Sequence, residues 1–448
     1  MNDGLNILAV CDPEGADSDG VFETFPALQT LWAFDPESNS FDSDSKLLPA
    51  PLRNSVELAP GAGMFTNATE SFDWTSDPDA SGGDPDDGGD PDDGGDPDPG
   101  PTPVDSLDDL RIVDLGAVPA GGGVVTVDVE AGEGSFLFYA QGPGIDDLIT
   151  ITDVTGPDGA SITADLIPDG RQGSGDAAIL VPLTDATPLT AGTYSVSVVS
   201  DVATTVGVIL KQDTNGAAQV LNARFWVATS SDEVADAASR ATTEQVFRER
   251  GDAIFGSANL QIGTIEFVDA PQNIIDQFAD LPLPSTGNDT TQRALCDAMS
   301  QQFGQDHTLN FVLVDSVNDP ESEGVTLGNA AGIPGATLIA NSRTSCVVVT
   351  ANAGGVTLAG NATTVWHEAG HLLGLNHTTE SSGDFFDWVP DTFQCDLSND
   401  ADADGTVDQT ECTDGGNFMF HDTDNTGMSE DQGNFLAGHI LFQPAAAN

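Results

Sequence analysis

The chain has 448 residues, 39% of them hydrophobic, and sets 73 Asp and Glu against 11 Lys and Arg for a formal net charge of −62. That length predicts two or three domains with packed cores, and charge repulsion excludes nucleic acid and anionic membrane as partners. No apolar run reaches the ~18 residues of a membrane-spanning helix, and Leu5–Val10, with no basic stretch ahead of it, makes no complete signal peptide.

So acidic a surface stays hydrated in concentrated salt, where its self-repulsion is screened. It points to a halophilic or marine setting, or to a calcium-rich extracellular one. Residues 1–75 carry scattered aromatics (Phe22, Trp32, Phe34, Trp74) with weak periodicity and read as a pro-region or a small module. Cys11 has three readings here: a lipid anchor after the imperfect lipobox Leu8-Ala9-Val10, a metal-blocking thiol of a propeptide, or a free thiol, which is favoured. Residues 76–104 repeat Gly-Gly-Asp-Pro-Asp-Asp and contain too little apolar surface for a core, so they are expected to be an extended linker.

Residues 105–213 alternate apolar and polar in short runs, among them Val124–Val129, Leu148–Ile151 and Tyr194–Val198, with Gly, Pro and Asp between them. That pattern predicts an antiparallel β-sandwich, serving as a binding surface or as a spacer. Leu189–Val196 resembles a strand and turn of the jelly-roll domains that accompany secreted bacterial peptidases. From residue 216 the pattern becomes α/β. Val220–Val227, Ile262–Phe267 and Leu309–Val314 read as strands, and Ser230 with Glu233 as a capping box for a helix to about Arg250. Cys346–Thr350 reads as a β-branched strand open to an added peptide strand along its edge. Asn361 or Thr363 is expected to cap the helix that follows.

That helix carries His367-Glu368-Ala-Gly-His371-Leu-Leu-Gly374-Leu-Asn-His377, which holds three of the chain's six histidines. His367 and His371 are four apart and share a helix face. Gly374 can turn left-handed, ending the helix and returning His377 to the other two. Three neutral imidazoles with one open position suit Zn2+ in a reactive rather than a structural site. Glu368 lies where it can take a proton from a water without being a ligand. Downstream, Asp400, Asp402, Asp404, Gly405, Asp408 and Glu411 match a calcium-loop pattern. Cys395 and Cys412 enclose that loop and form the first expected disulfide, with Cys296 and Cys346 as the second.

The long histidine motif makes residues 216–440 resemble the metzincins, a clan of zinc endopeptidases. Asn417-Phe418-Met419-Phe420 fits the clan's methionine turn, which implies that Met419 floors the three imidazoles. Thr378 after the third histidine, Val389-Pro390-Asp391-Thr392 before Cys395, and the capping box opened by Ser429 resemble the pappalysin-like branch. The resemblance implies a jelly-roll-like sandwich (105–213) followed by a metzincin-type α/β domain (216–448), acting as a monomeric, secreted or surface-bound zinc endopeptidase on protein or peptide substrates. One position departs from that branch. The tyrosine two residues after the methionine is His421, and the only tyrosines, Tyr139 and Tyr194, lie in the sandwich. His421 is therefore expected to serve as a weak extra ligand or an oxyanion donor. A downstream glutamate replacing His377 as ligand fits less well, because Glu380 is too close and Glu411 belongs to the acidic loop. The competing function is a surface or adhesion protein that keeps the fold without catalysis; intact Glu368 and the three histidines argue against it.

Overall fold

A computed structural model describes the backbone of strands between residues 4 and 68, and residues 107–445 apart from 108, 164–165, 168–169, 185–186, 215, 283–289, 301, 304–305, 319–325, 354–355 and 422–424. Cys11 and the linker 76–104 lie outside the described residues. The chain divides into two compact units, Met1–Gly100 and Pro101–Asn448. In the first, Gly4–Ala9, Gly63–Ala68, Leu28–Asp35 and Ser40–Ser45 form one antiparallel sheet in that order.

The second unit begins with eight strands: β1 (Leu110–Val118), β2 (Gly123–Val129), β3 (Glu133–Gln141), β4 (Leu148–Thr155), β5 (Arg171–Ser174), β6 (Asp176–Val181), β7 (Gly192–Ser200) and β8 (Thr204–Gln212). They make two four-stranded antiparallel sheets, ordered β5-β4-β7-β2 and β6-β3-β8-β1. Burial alternates along β7, as one covered face requires, whereas β8 is buried almost continuously. Continuous burial means that both faces of β8 are covered. One hydrophobic core accordingly runs from the sandwich into the α/β half.

That half is built on β9 (Gln219–Ala228), α1 (Ala237–Phe255), β10 (Leu260–Asp269), α2 (Gln272–Phe278), α3 (Thr290–Ser300), β11 (Thr308–Val314), β12 (Gly328–Ala330), β13 (Cys346–Thr350), α4 (Ala362–Leu372) and α5 (Glu430–Ala437). The sheet order is β10-β9-β11-β13-β12; the first four strands run parallel and β12 is antiparallel at the edge. β11 and β13 are buried throughout, as central parallel strands are. The sulfurs of Cys296 and Cys346 are bonded at 1.98 Å, tying α3 to β13, and those of Cys395 and Cys412 at 2.07 Å.

Three local expectations are corrected. Ser231, not Ser230, caps a short 3-10 turn, and Asp236 caps α1 through the backbone N–H groups of Ala238 and Ser239; a carboxylate nearer the helix start outcompetes the earlier serine. Asn361 occupies the position before α4 without capping it, because its amide donates to the carbonyls of Leu327 (3.0 Å) and Thr350 (3.3 Å). β13 offers no edge to a peptide, since it is paired on both sides, and β12 is the edge strand. By contrast Ser429 and Gln432 form a complete capping box on α5.

Polar contacts join the sandwich to the α/β half. The Lys211 ammonium donates to Gln219 Oε1 (2.7 Å) and to the carbonyls of Ala437 (2.8 Å) and His439 (2.9 Å), where α5 ends. Burial lowers this amine to about 7, with the Asp109 carboxylate opposing. An unfolded lysine keeps its proton to ~10.4, so between about 7 and that value the unfolded chain binds more protons and stability rises with pH. We expect Tm to increase more between pH 7 and 9 in the wild type than in Lys211→Met, measured by calorimetry; equal slopes would show that Lys211 stays charged.

Candidate metal centre

The helix α4 is set by packing. Trp366 is fully buried, its indole N–H donates to the Phe247 carbonyl of α1 (2.8 Å), and it meets Phe255 and Phe311 edge-on at 5.8 Å. Gly251 on α1 makes room for it, because a Cβ there would stand 2.8 Å from Trp366 Cε2. With the outward face so anchored, His367 and His371 face the cleft one turn apart. Gly374 takes φ +111°, and the chain reverses to bring His377 back.

The three imidazoles converge through one nitrogen each. His377 Nε2 lies 3.0 Å from His367 Nε2 and 3.0 Å from His371 Nε2. Every Nδ1 has a partner that can only accept: the carbonyl of Phe418 for His367 (2.7 Å), the carbonyl of Leu375 for His371 (2.8 Å) and Glu380 Oε1 for His377 (2.8 Å). Each Nδ1 therefore carries the proton, and three neutral rings aim bare Nε2 lone pairs at one point. Lone pairs cannot hydrogen-bond one another, but together they offer a metal ion three nitrogen ligands. Tetrahedral zinc ligands at about 2.1 Å stand ~3.4 Å apart, so the triad fits zinc after spreading by a few tenths of an ångström. Burial lowers His367 to about 3 and puts His371 well below its usual value, with the neighbouring imidazoles adding to the effect. Both rings thus stay neutral, as ligands must.

Met419 is buried against α4, at the turn between His367 and His371. Its turn is held by Asn417, whose side chain accepts from the Met419 N–H (2.8 Å), while the Met419 carbonyl accepts from the Thr378 N–H (2.9 Å). Gly370 admits the thioether to α4, since a Cβ there would approach Met419 Sδ to 2.4 Å.

The triad opens into a cleft of about 430 Å³, lined in part by Ala330, Ile333, Glu368, Asn376, Glu380 and Phe385. Glu368 is buried beside β12: Gly328 leaves space for its Cγ, and the Ala330 backbone N–H donates to its carboxylate. Burial raises this carboxyl to about 7. Glu380 is lowered, chiefly by the hydrogen bond from His377. Sequence reading missed both the Glu380 contact and the β12 edge. An acidic residue three positions after the last histidine was the available signal for the first; β12 is three residues long and has no periodicity to read.

His421 stands at the margin. Its Nδ1 lies 3.1 Å from the Thr379 carbonyl and its ring 6.5 Å from that of His377; among the described residues the metal-competent group holds His367, His371 and His377 without it. In the acidic loop Asp400, Asp402 and Glu411 are gathered. Asp404 and Asp408 turn away to accept from Thr406 and Thr410. Gly405 takes φ +92° at the sharp turn.

No protein-family model matches this sequence, and no curated protein sequence matches it. Among solved structures the chain is similar to metalloproteinase-II from Bacteroides fragilis, at 16% identity and a TM-score of 0.24. The match covers 44% of this chain and 60% of that one. Among the described residues no helix is long and apolar enough to cross a membrane.

Proposed function

We propose that this protein is a zinc-dependent endopeptidase of metzincin type, related to the pappalysin-like branch, and that the catalytic domain spans 216–448 behind a sandwich at 105–213. The observation that carries the reading is the set of three Nε2 atoms at one point, each ring pinned through Nδ1 to an acceptor. His367, His371 and His377 hold the metal, Met419 floors it and Gly374 makes the turn. What zinc supplies there is Lewis acidity and an acidified water. Glu368 acts as general base, taking a proton during attack on the scissile carbonyl and returning it to the leaving amine. The substrate lies extended along β12, whose outer edge accepts a strand. The two disulfides accord with an extracellular site of action. Stoichiometric zinc in the purified protein, with chelator-sensitive cleavage of a protein substrate such as casein, is the test; zinc bound without cleavage would favour the adhesion alternative.

His421 serves as an oxyanion donor rather than a ligand, given its distance from the triad. His421→Ala is expected to lower kcat by about tenfold or more with zinc content unchanged. Unchanged kcat and an unchanged pH profile, from steady-state kinetics, would remove that role.

Asp400, Asp402 and Glu411 form a calcium site, with Asp404 and Asp408 shaping the loop. Calcium in excess is expected to raise Tm, by about 1 °C per kcal/mol of binding free energy in a chain of this size. Asp400→Ala should erase the rise. A calcium-independent Tm in the wild type counts against the site.

A further inference from the structure

Arg171 is out of place in this protein. Acidic side chains outnumber basic ones 73 to 11, and Arg111, Arg224, Arg240, Arg248 and Arg343 each hold a carboxylate. Arg171 holds none among the described residues. Among the described residues its polar side-chain contact is Nη1 to Asn376 Oδ1 at 3.4 Å, and its Nε is buried with no acceptor. Burial of the guanidinium lowers it to about 10, though the residue as a whole is half-buried. A charge so placed is costly unless something pairs with it.

Arg171 opens β5, the edge strand of one sandwich sheet, and its Nη1 meets Asn376, a residue of the cleft wall. Asn376 lines the cleft together with Glu368, His371 and His377. It also lies between Leu375, whose carbonyl orients His371, and His377 itself. The two carboxylates already in the cleft are engaged elsewhere, Glu380 by His377 and Glu368 by the Ala330 N–H. A guanidinium fork matches a carboxylate with two parallel hydrogen bonds.

We propose that Arg171 binds a carboxylate of the substrate, so that the preferred peptides carry an Asp or Glu side chain, or a free C-terminal carboxylate, close to the scissile bond. This rests on the peptidase reading above. It assigns the sandwich a direct part in substrate selection, because a residue of β5 then completes a cleft otherwise built by the α/β half.

The test uses the full-length zinc-loaded protein and peptides that differ only by Glu or Gln at each position flanking the cleaved bond, with a free-acid and an amidated C-terminus. The wild type is expected to favour one carboxylate-bearing peptide by ~10-fold or more in kcat/KM. Whether the favoured partner is the side chain or the terminus identifies the source. In Arg171→Gln the ratio falls to about one, and in Arg171→Lys it is partly kept. A purely structural Arg171 would slow both peptides equally and leave the ratio intact. That result, or a wild type without preference at any position, overturns the proposal. Folding is followed separately: removing an unpaired, half-buried charge should leave Tm unchanged or raise it, and a large drop would mean that the guanidinium is paired within the fold. If no peptide is cleaved at all, the peptidase reading fails. Fluorescence anisotropy then still decides the role of Arg171, by whether labelled acidic peptide binds the wild type more tightly than Arg171→Gln.

Discussion

Glu368→Gln is expected to bind a full equivalent of zinc and to lose about 10²–10⁴-fold in kcat, the usual contribution of a positioned general base. The carboxylate is 9% exposed and fills the space that Gly328 leaves beside β12. Glutamine has the same shape, so the packing of α4 against β12 survives, and the three ligands keep their Nδ1 acceptors at Phe418, Leu375 and Glu380. What the substitution removes is the ability to accept a proton. Because ground-state contacts persist, KM should change far less than kcat, which marks an interaction made in the transition state. Metal content by elemental analysis and kcat on a single peptide check both halves. Near-normal cleavage by this variant would overturn the assignment of the base. Loss of zinc instead would mean that Glu368 supports the ligands.

The parts of this site that were legible in the sequence are the local ones. His367 and His371 share a face because four residues make about one helical turn, and a turn after them needs a residue tolerant of φ +111°, as Gly374 is. The capping box at Ser429 is likewise a relation over three residues. The Cys395–Cys412 pair is short in sequence as well. Relations without a period, and those between distant segments, were not legible. Glu380 is only three residues from His377, but the segment between them is neither helix nor strand, so no pattern pairs the two. β13 looked like an edge because β12, three residues long, leaves no periodic trace. The sandwich alternation in β7 was readable, yet the continuous apolar run Val206–Leu210 in β8 is the mark of a strand covered on its second face, and it is there that Lys211 and the end of α5 meet. Arg171 is the extreme case: its strand is ordinary, and only the fold sets it beside Asn376.

Removing the metal should abolish proteolysis and also loosen the centre, for a reason internal to the triad. Without a cation, the His377 Nε2 lone pair faces those of His367 and His371 at 3.0 Å each, and burial opposes the protonation that would relieve them, since His367 is held down to about 3. Zinc that binds only the folded chain then stabilises it by ~4 kcal/mol at a free concentration a thousand times its Kd. A chelator should therefore lower Tm by several degrees, reversibly on zinc addition. His371→Ala should show no such zinc response and no activity. Glu380→Gln separates orientation from ligation. Its carboxylate holds the His377 proton at Nδ1 from 2.8 Å, and loss of such a partner typically weakens metal binding by about 10–100-fold. At saturating zinc its kcat should recover most of the wild-type value, whereas Glu368→Gln stays inactive at any zinc concentration. If competition with a chelating dye gives Glu380→Gln the wild-type zinc affinity, the carboxylate is not what aims the third imidazole, and the neutral amide must hold the ring equally well.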